Sequence, residues 1–344
     1  MKALLMTPST LLHSLAATAP AKWLCAYRWR VGIRARNTLS LSEMTLNDFS
    51  LLEAPYGHFY ADPFLVERQK RIFLFMEDYN YVTRIAKLVC SEMTPQCQVI
   101  ETRTVVEQPY HMSYPHVFFL DGSYFMIPET AAADRVELYR AVSFPWDWKL
   151  EAVLMSGTKL QDPTHVVINN RHWIFAGGSS TGACGQYDEL HLFHAPTLYD
   201  RFRPHPGNPV KLGLSSSRPA GRITAEAGRL IRPAQDCSRW YGCGLKFMAV
   251  DLISDSAYAE HEVSSLPDAW LLDGYLGTHT YNSSENFEAI DVCSYGLEVP
   301  AIMGRTRTLF QRIAGTHAAA RLSPTAREIT PDAIKTELPR RHTA

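Results

Sequence analysis

Four carboxylic acids and an arginine recur at matching places in this sequence. Asp62, Tyr114, Asp162 and Arg218 each precede a proline, and Glu77 and Glu129 each end a short apolar run that begins after such a proline. Close carboxylates with separated pKa values can divide the proton-donor and proton-acceptor roles on either side of an oxocarbenium-like centre, as sugar transfer requires. Asp62 is the expected base or charge-stabilising carboxylate. Glu129 is the expected acid, because Ile127 and Pro128 before it and Thr130 after it give a less polar setting that raises a carboxyl pKa. Asp162 is expected to orient the sugar or to tune Glu129, and Asp236 is a further candidate acid. Any one of these acids alone is equally a turn residue that caps backbone N–H groups or pairs with Arg218 or Arg232. The set at equivalent positions is the functional signal.

These residues need elements that bring them together, and the sequence supplies a repeat. Asp62–Val66, Tyr114–Phe119, Asp162–Val167 and Arg218–Ile223 each lead through a polar or Gly turn into a second apolar run. In all four, 14 positions separate the proline from the end of the second run: 63 to 77, 115 to 129, 163 to 177 and 219 to 233. Paired β-branched and aromatic runs around a short polar turn form hairpins. Their prolines recur at intervals of 52, 48 and 56 residues, close to the period of propeller blades. A fifth, degenerate unit runs from Gly277 to Val292, and Tyr27–Ile33 supplies the strand that closes the ring, because an open sheet edge must be covered. The expected fold is all-β, a five-bladed β-propeller over residues 25–298. Residues 1–24 form an N-terminal extension, and residues 299–344 a tail with one short amphipathic helix on Leu309, Ile313, His317 and Ala320.

In a propeller the first strand of every blade lines the central channel, so residues at the strand starts converge at one mouth. First strands bring Asp62, Tyr114, Asp162, Arg218 and His279, and second strands bring Glu77, Glu129, Gly177 and Pro233. Burying like charges together costs stability unless they are paired or one holds a proton. Phe59, Tyr60, Tyr110, His111, Trp240 and the more heavily weighted Tyr114, Tyr241 and Tyr281 offer flat faces to sugar C–H surfaces. Substrate contacts are expected from Tyr114, His116, Arg218, Arg232, Gln235, Asp236, Tyr241, His279, Tyr281 and Asn282. His205-Pro206-Gly207-Asn208-Pro209 reads as a rigid loop, and the Gly-rich stretch Gly177–Gly182 as a long loop over the mouth.

Composition narrows the partners. The chain has 344 residues, 46% of them hydrophobic, and 34 Lys and Arg against 35 Asp and Glu. It can bury a large core, and it has no basic excess to bind nucleic acid. No apolar run approaches the roughly 20 residues of a membrane-spanning helix. The histidines lack metal-ligand spacing, and no phosphate loop, G-x-S-x-G elbow or dinucleotide fold is present, so no metal or cofactor is expected. Seven cysteines without a C-x-x-C pair read as reduced thiols of a cytosolic protein. Lys2, the apolar stretch Ala3–Ala17 and Ala19-Pro20-Ala21 imitate a secretory signal, but Thr7, Pro8, Ser9, Thr10 and His13 interrupt it. A cytoplasmic location is therefore expected, with export as the alternative.

Phe59-Tyr60-Ala61-Asp62-Pro63-Phe64, Ser113-Tyr114-Pro115, Met126-Ile127-Pro128-Glu129, Arg218-Pro219-Ala220-Gly221, Arg232-Pro233-Ala234-Gln235-Asp236 and Tyr241-Gly242 carry a family likeness. Together with the His205–Pro209 loop they resemble the N-terminal domain of plant glucosamine inositolphosphorylceramide transferases and its stand-alone bacterial forms. The chain is more distantly similar to the five-bladed glycosidase clan, with Asp62 at the place of its base and Asp162 at the place of its pKa-tuning Asp. That clan's general-acid Glu has no unambiguous match, since Glu129 lies on the second blade. The resemblance implies a sugar donor, a glycan or glycolipid acceptor and partner enzymes of surface-glycan synthesis. It leaves three activities open: sugar transfer, inverting glycoside hydrolysis, and glycan binding without catalysis.

Overall fold

The structure, a computed structural model, describes residues 23–37, 45–178, 188–226, 228–266 and 275–321, with side chains to residue 311. The signal-like stretch over residues 1–22, most of the Gly-rich loop, Cys184 and the tail beyond residue 321 lie outside the described residues. So do the side chains of Ile313, His317 and Ala320.

The chain enters on β1 (Cys25–Ala35) and β2 (Ser50–Leu51) and then builds blades in succession. Blade one is β3 (His58–Arg68), β4 (Arg71–Asn80), β5 (Ile85–Met93) and β6 (Val99–Val106). Blade two is β7 (Ser113–Leu120), β8 (Ser123–Glu129), β9 (Arg135–Ser143) and β10 (Asp147–Ser156). Blade three is β11 (Gln161–Ile168), β12 (Arg171–Gly178), β13 (Glu189–Ala195), β14 (Arg203–Pro204) and β15 (Lys211–Leu212). Blade four is β16 (Thr224–Glu226), β17 (Arg229–Asp236), β18 (Gly244–Ile253) and β19 (Tyr258–Ser265). The last strands, β20 (Tyr281–Ser283) and β21 (Phe287–Leu297), join β1 and β2 in one sheet. Five sheets in a ring make a five-bladed β-propeller.

The hairpins form where turn chemistry and side-chain alternation agree. Gln69–Lys70, Asp121–Gly122 and Asn169–Asn170 each have two positive φ angles in a two-residue loop, the turn whose twist matches the flanking strands. Alternate apolar side chains then meet those of the next blade. Leu65, Leu74 and Met76 pack on Val31 and Ile33, and Phe64, Phe73 and Phe75 pack on Val117 and Met126.

Closure is made by the two ends of the ring. All eleven residues of β1 pair antiparallel with β21, from Cys25 opposite Leu297 to Ala35 opposite Phe287. Blade four departs from the repeat. Arg218-Pro219-Ala220-Gly221 touches β17 through the single bridge Pro219–Ala234 and forms no full inner strand. At Gly221 (φ 139°) the chain passes so close to blade five that a Cβ would lie 1.9 Å from the Tyr281 carbonyl oxygen.

Below the mouth the channel is filled. Arg222 Nη2 donates to the carbonyls of Leu65 at 3.1 Å and Val117 at 2.9 Å, and its backbone N–H donates to Asn282 Oδ1. The Asn208 side chain pairs with both the N–H and the carbonyl of Leu192, standing in for a neighbouring strand beside β13. Residues to Gly304 form one compact unit, and residues from Arg305 a second. The helix α1 (Val299–Arg321) begins earlier than the sequence pattern suggests and runs 23 residues. No helix among the described residues is long and apolar enough to cross a membrane.

Candidate active site

The same irregularity shapes the mouth in blades one, two and three. Ala61 pairs with Glu77, Ser113 with Glu129 and Gln161 with Gly177; immediately after each, the inner strand bulges. The bulged residues are Asp62, Tyr114 and Asp162, with φ of 52°, 48° and 49°. A left-handed non-glycine residue costs of order 1–3 kcal/mol and persists only where its surroundings hold it. Carboxylates of neighbouring blades do the holding. The Asp62 N–H donates to Asp291 Oδ2, the Tyr114 N–H to Asp62 Oδ2 and the Asp162 N–H to Glu129 Oε2, each at 3.1 Å. These acids therefore join blade five to one, one to two, and two to three.

Blade four supplies the cation. Arg218 Nε and Nη2 grip both Asp162 oxygens at 2.5 and 3.2 Å, and Nη2 reaches Glu129 Oε2 at 3.4 Å. Gln235 Nε2 adds a 2.8 Å bond to Asp162 Oδ2. Gly177 packs beside Arg218, a Cβ there standing 3.4 Å from the Arg218 Cγ. Burial works against the guanidinium charge, but Asp162, Tyr241 and Glu129 outweigh it and raise the Arg218 pKa. The Tyr241 ring lies under the guanidinium, 5.3 Å from it.

Blade five supplies a histidine–aspartate pair. His279 Nδ1 lies 2.6 Å from Asp291 Oδ2 and 3.9 Å from Asp62 Oδ1, and its ring stacks on Trp29 of β1 at 3.8 Å. Burial alone would lower the imidazole pKa; the Asp291 charge and hydrogen bond raise it. The Thr280 hydroxyl donates to Asp62 Oδ1 at 2.8 Å. Asp62, His279 and Asp291 each present a ligand atom within 4.8 Å of the others, so this trio could hold a cation.

Three acids at the mouth have raised pKa values. Burial pushes Asp62 up to about 6, the His279 charge opposing this and Asp162 and Asp291 adding to it. Glu129 is raised well above the ordinary range by burial and by Asp162, against Arg218. Glu77 is also raised well above it, first by burial and then by the Asp62 charge. Glu77 differs in having no hydrogen bond among the described residues. His111 Nε2 lies 3.6 Å from its Oε1. The Ala86 N–H donates to His111 Nδ1, and burial lowers this imidazole to about 4, so His111 is neutral with its proton on Nε2.

Of the residues expected from sequence, the mouth gathers Asp62, Glu129, Asp162, Arg218, Gln235, Tyr241 and His279. It does not gather the others. Tyr114 is fully buried, its hydroxyl bonded to Thr164 and the Gly221 N–H. His116 lies against the His165 carbonyl, and Asn282 donates to the Pro63 carbonyl. Tyr281 donates to Glu288 and packs on Phe247 between blades. Arg232 faces the other side of β17 and is spent on Glu260 and the Ser216 carbonyl, while Asp236 caps the Ser238 N–H. Sequence reasoning missed Asp291, Thr280 and Trp29 and gave Glu77 no role. Asp291 lies across from Thr280 as Glu77 does from Ala61, but the shorter fifth hairpin breaks the 14-residue spacing that would have revealed it.

Residues 44–270, about two thirds of the chain, match the family described as glucosamine inositolphosphorylceramide transferase 1, N-terminal. The chain belongs to this family. The matched span of the transferase N-terminal family includes Asp62, Glu77, Glu129, Asp162 and Arg218, whereas β1, β20 and β21, which close the ring, fall outside it. Glucosamine inositolphosphorylceramide transferase 1 of Arabidopsis thaliana is 29% identical over 210 residues, covering 60% of this chain and 27% of that protein. The protein of the same name from Oryza sativa subsp. japonica is 30% identical over 211 residues, covering 60% and 28%. The chain thus spans little more than a quarter of these relatives. Among solved structures, the β-xylosidase RS223 is similar with a TM-score of 0.46 and 11% identity, over 59% of this chain and 74% of that one. Zg3597, a family 117 glycoside hydrolase of Zobellia galactanivorans, is similar with a TM-score of 0.47 and 12% identity, over 79% and 91%.

Proposed function

We propose that this protein is a carbohydrate-active enzyme that transfers a glycosyl unit during assembly of a cell-surface polysaccharide or glycolipid, with the channel mouth as its active site. The observation that carries the reading is the pairing of Glu77 with Asp62. Glu77 is buried, free of hydrogen bonds among the described residues and raised well above the ordinary carboxyl range by burial and the Asp62 charge; Asp62 is pushed up only to about 6. In this reading Asp62 takes the proton of the acceptor hydroxyl as its oxygen attacks the anomeric carbon, and Glu77 gives its proton to the departing oxygen. Glu129, which the sequence favoured as the acid, is instead occupied by Arg218 and the Asp162 N–H, both of which engage its Oε2. Arg218, Gln235 and Tyr241 orient the sugar. The transferase names of the relatives support the direction of the chemistry.

The test is turnover on a panel of nucleotide-linked and lipid-linked sugars with sugar or lipid acceptors. Asp62→Asn and Glu77→Gln should each lower the rate by about 10²–10⁴, the usual worth of a general base or acid. Full activity in Asp62→Asn removes the proposal. Water rather than a sugar hydroxyl as the glycosyl acceptor would make the protein a hydrolase.

A second reading, glycan binding without catalysis, is favoured by the capping roles of Asp62, Glu129, Asp162 and Asp291. Glycan binding that survives Asp62→Asn and Glu129→Gln, with no turnover on any donor, would support it. A cytoplasmic location and partner enzymes of a glycan assembly pathway belong to the first reading, and cell fractionation tests the location.

A further inference from the structure

The end of the ring opposite the mouth carries a cleft of about 710 Å³ between blades three and four. Arg171, the first residue of β12, His194 near the end of β13, Asp200, Arg201, Arg203 and Asp255 line it. In the extended segment Arg201-Phe202-Arg203, Phe202 is buried in the core, so alternation turns both arginines to the opposite side, where they are exposed. The two carboxylates are already engaged. Asp255 is paired with Arg171, and Asp200 accepts the N–H and the hydroxyl of Thr197 at 3.1 and 2.8 Å. The guanidinium groups of Arg201 and Arg203 hold no hydrogen bond or ion pair among the described residues. Arg171 Nη1 also donates to His194 Nδ1 at 3.0 Å, which leaves the proton of the neutral imidazole on Nε2 as a further donor. Burial and the charges of Arg171 and Arg203 keep this histidine below its ordinary pKa, against Asp255.

We propose that this cleft binds a phosphate-bearing anion, with Arg201 and Arg203 as its charged anchors and Arg171 and His194 as additional donors. Guanidinium groups match phosphate oxygens in bidentate geometry, and uncompensated arginines facing one concave surface favour an anion there. The cleft is larger than a bare phosphate, so a phosphate ester fits it better than the free ion. The proposal is independent of the chemistry at the mouth, which lies at the other end of the ring.

Calorimetric titration of inorganic phosphate and pyrophosphate, and flotation with phosphatidylcholine vesicles with or without phosphatidic acid, test it in the full chain. The wild-type protein should bind pyrophosphate, or vesicles only when phosphatidic acid is present. The R201A/R203A variant should weaken that binding at least about tenfold, since both charge-assisted anchors of the anion are lost. Binding of soluble pyrophosphate alone identifies a free phosphate ester as the ligand class; binding that needs phosphatidic acid identifies a lipid headgroup. Both arginines are exposed, so the variant should fold, and an unchanged thermal unfolding curve checks this. No binding of any probe by the wild type, or equal binding by a folded R201A/R203A protein, overturns the proposal.

Discussion

Asp62 serves the architecture and the proposed chemistry at once, and the two demands conflict. Its oxygens accept the Tyr114 N–H and the Thr280 hydroxyl, which helps to hold two neighbouring blades in register. Burial nevertheless raises its pKa from an ordinary 3.8 to about 6. The folded chain therefore holds this proton more tightly than the unfolded chain does. The sign follows from that: Asp62 is least costly below about pH 4, and stability is lost as the pH rises toward 6, by roughly 3 kcal/mol in total. Asp62→Asn keeps an acceptor oxygen but cannot ionise, so urea unfolding should find it more stable than the wild type at neutral pH and flatter across that window. An equal decline in the variant would assign the titration to another group. Turnover should also fall in acid through about pH 6, as Asp62 takes up its proton, and in alkali as Glu77 loses its own. Glu129→Gln, which retains an acceptor for the Asp162 N–H, should cost less activity than Glu77→Gln.

At the scale of elements, the stretches that bend away from ideal strands position the site. The three bulges at Asp62, Tyr114 and Asp162 turn acids and a tyrosine toward the channel, and the interrupted inner strand of blade four brings Arg218 to Asp162. Gly221 makes that interruption possible, because any side chain there would meet the Tyr281 carbonyl. Gly221→Ala should push blades four and five apart, lowering the thermal midpoint sharply or preventing soluble expression. Gly122→Ala is a control in a turn where a Cβ meets nothing within 4 Å; strain at its positive φ should cost it only about 1 kcal/mol. Differential scanning fluorimetry separates the two. Deleting β1 would leave one whole edge of β21 unpaired, and an exposed edge of that length recruits other strands. The truncated protein should elute as oligomer or aggregate in size-exclusion chromatography, whereas a monodisperse, folded truncation would show that the clasp is dispensable.

For the molecule as a whole, stability depends on links between blades far apart in sequence, and Arg222 is the clearest of them. It is partly buried and has no carboxylate partner among the described residues, desolvation lowering its pKa to about 10, and it joins carbonyls of blades one and two to the chain of blade four. Arg222→Met fills similar space but leaves the Leu65 and Val117 carbonyls without this donor, so chemical denaturation should show a loss of about 2–4 kcal/mol in one cooperative transition. A change below about 0.5 kcal/mol would mean that water replaces the guanidinium without cost.

The sequence by itself determined the hairpins, their number and the ring they form, because alternation, turn residues and the proline-to-acid spacing act over fewer than twenty neighbouring residues. It also identified Asp62, Glu129, Asp162 and Arg218 as residues to watch. Only the tertiary structure decided which side chains share the mouth. Asp62 meets Asp291 across 229 positions and Thr280 across 218, and no local pattern records such a meeting. The same holds for Tyr114, Tyr281 and Arg232, whose types suited a binding site but whose partners in the packed blades bury them. Glu77 takes its proposed role for the converse reason: burial and the Asp62 charge raise its pKa well above the ordinary range and it has no hydrogen-bond partner among the described residues, a property of the assembled pocket and not of the residues beside it in the chain.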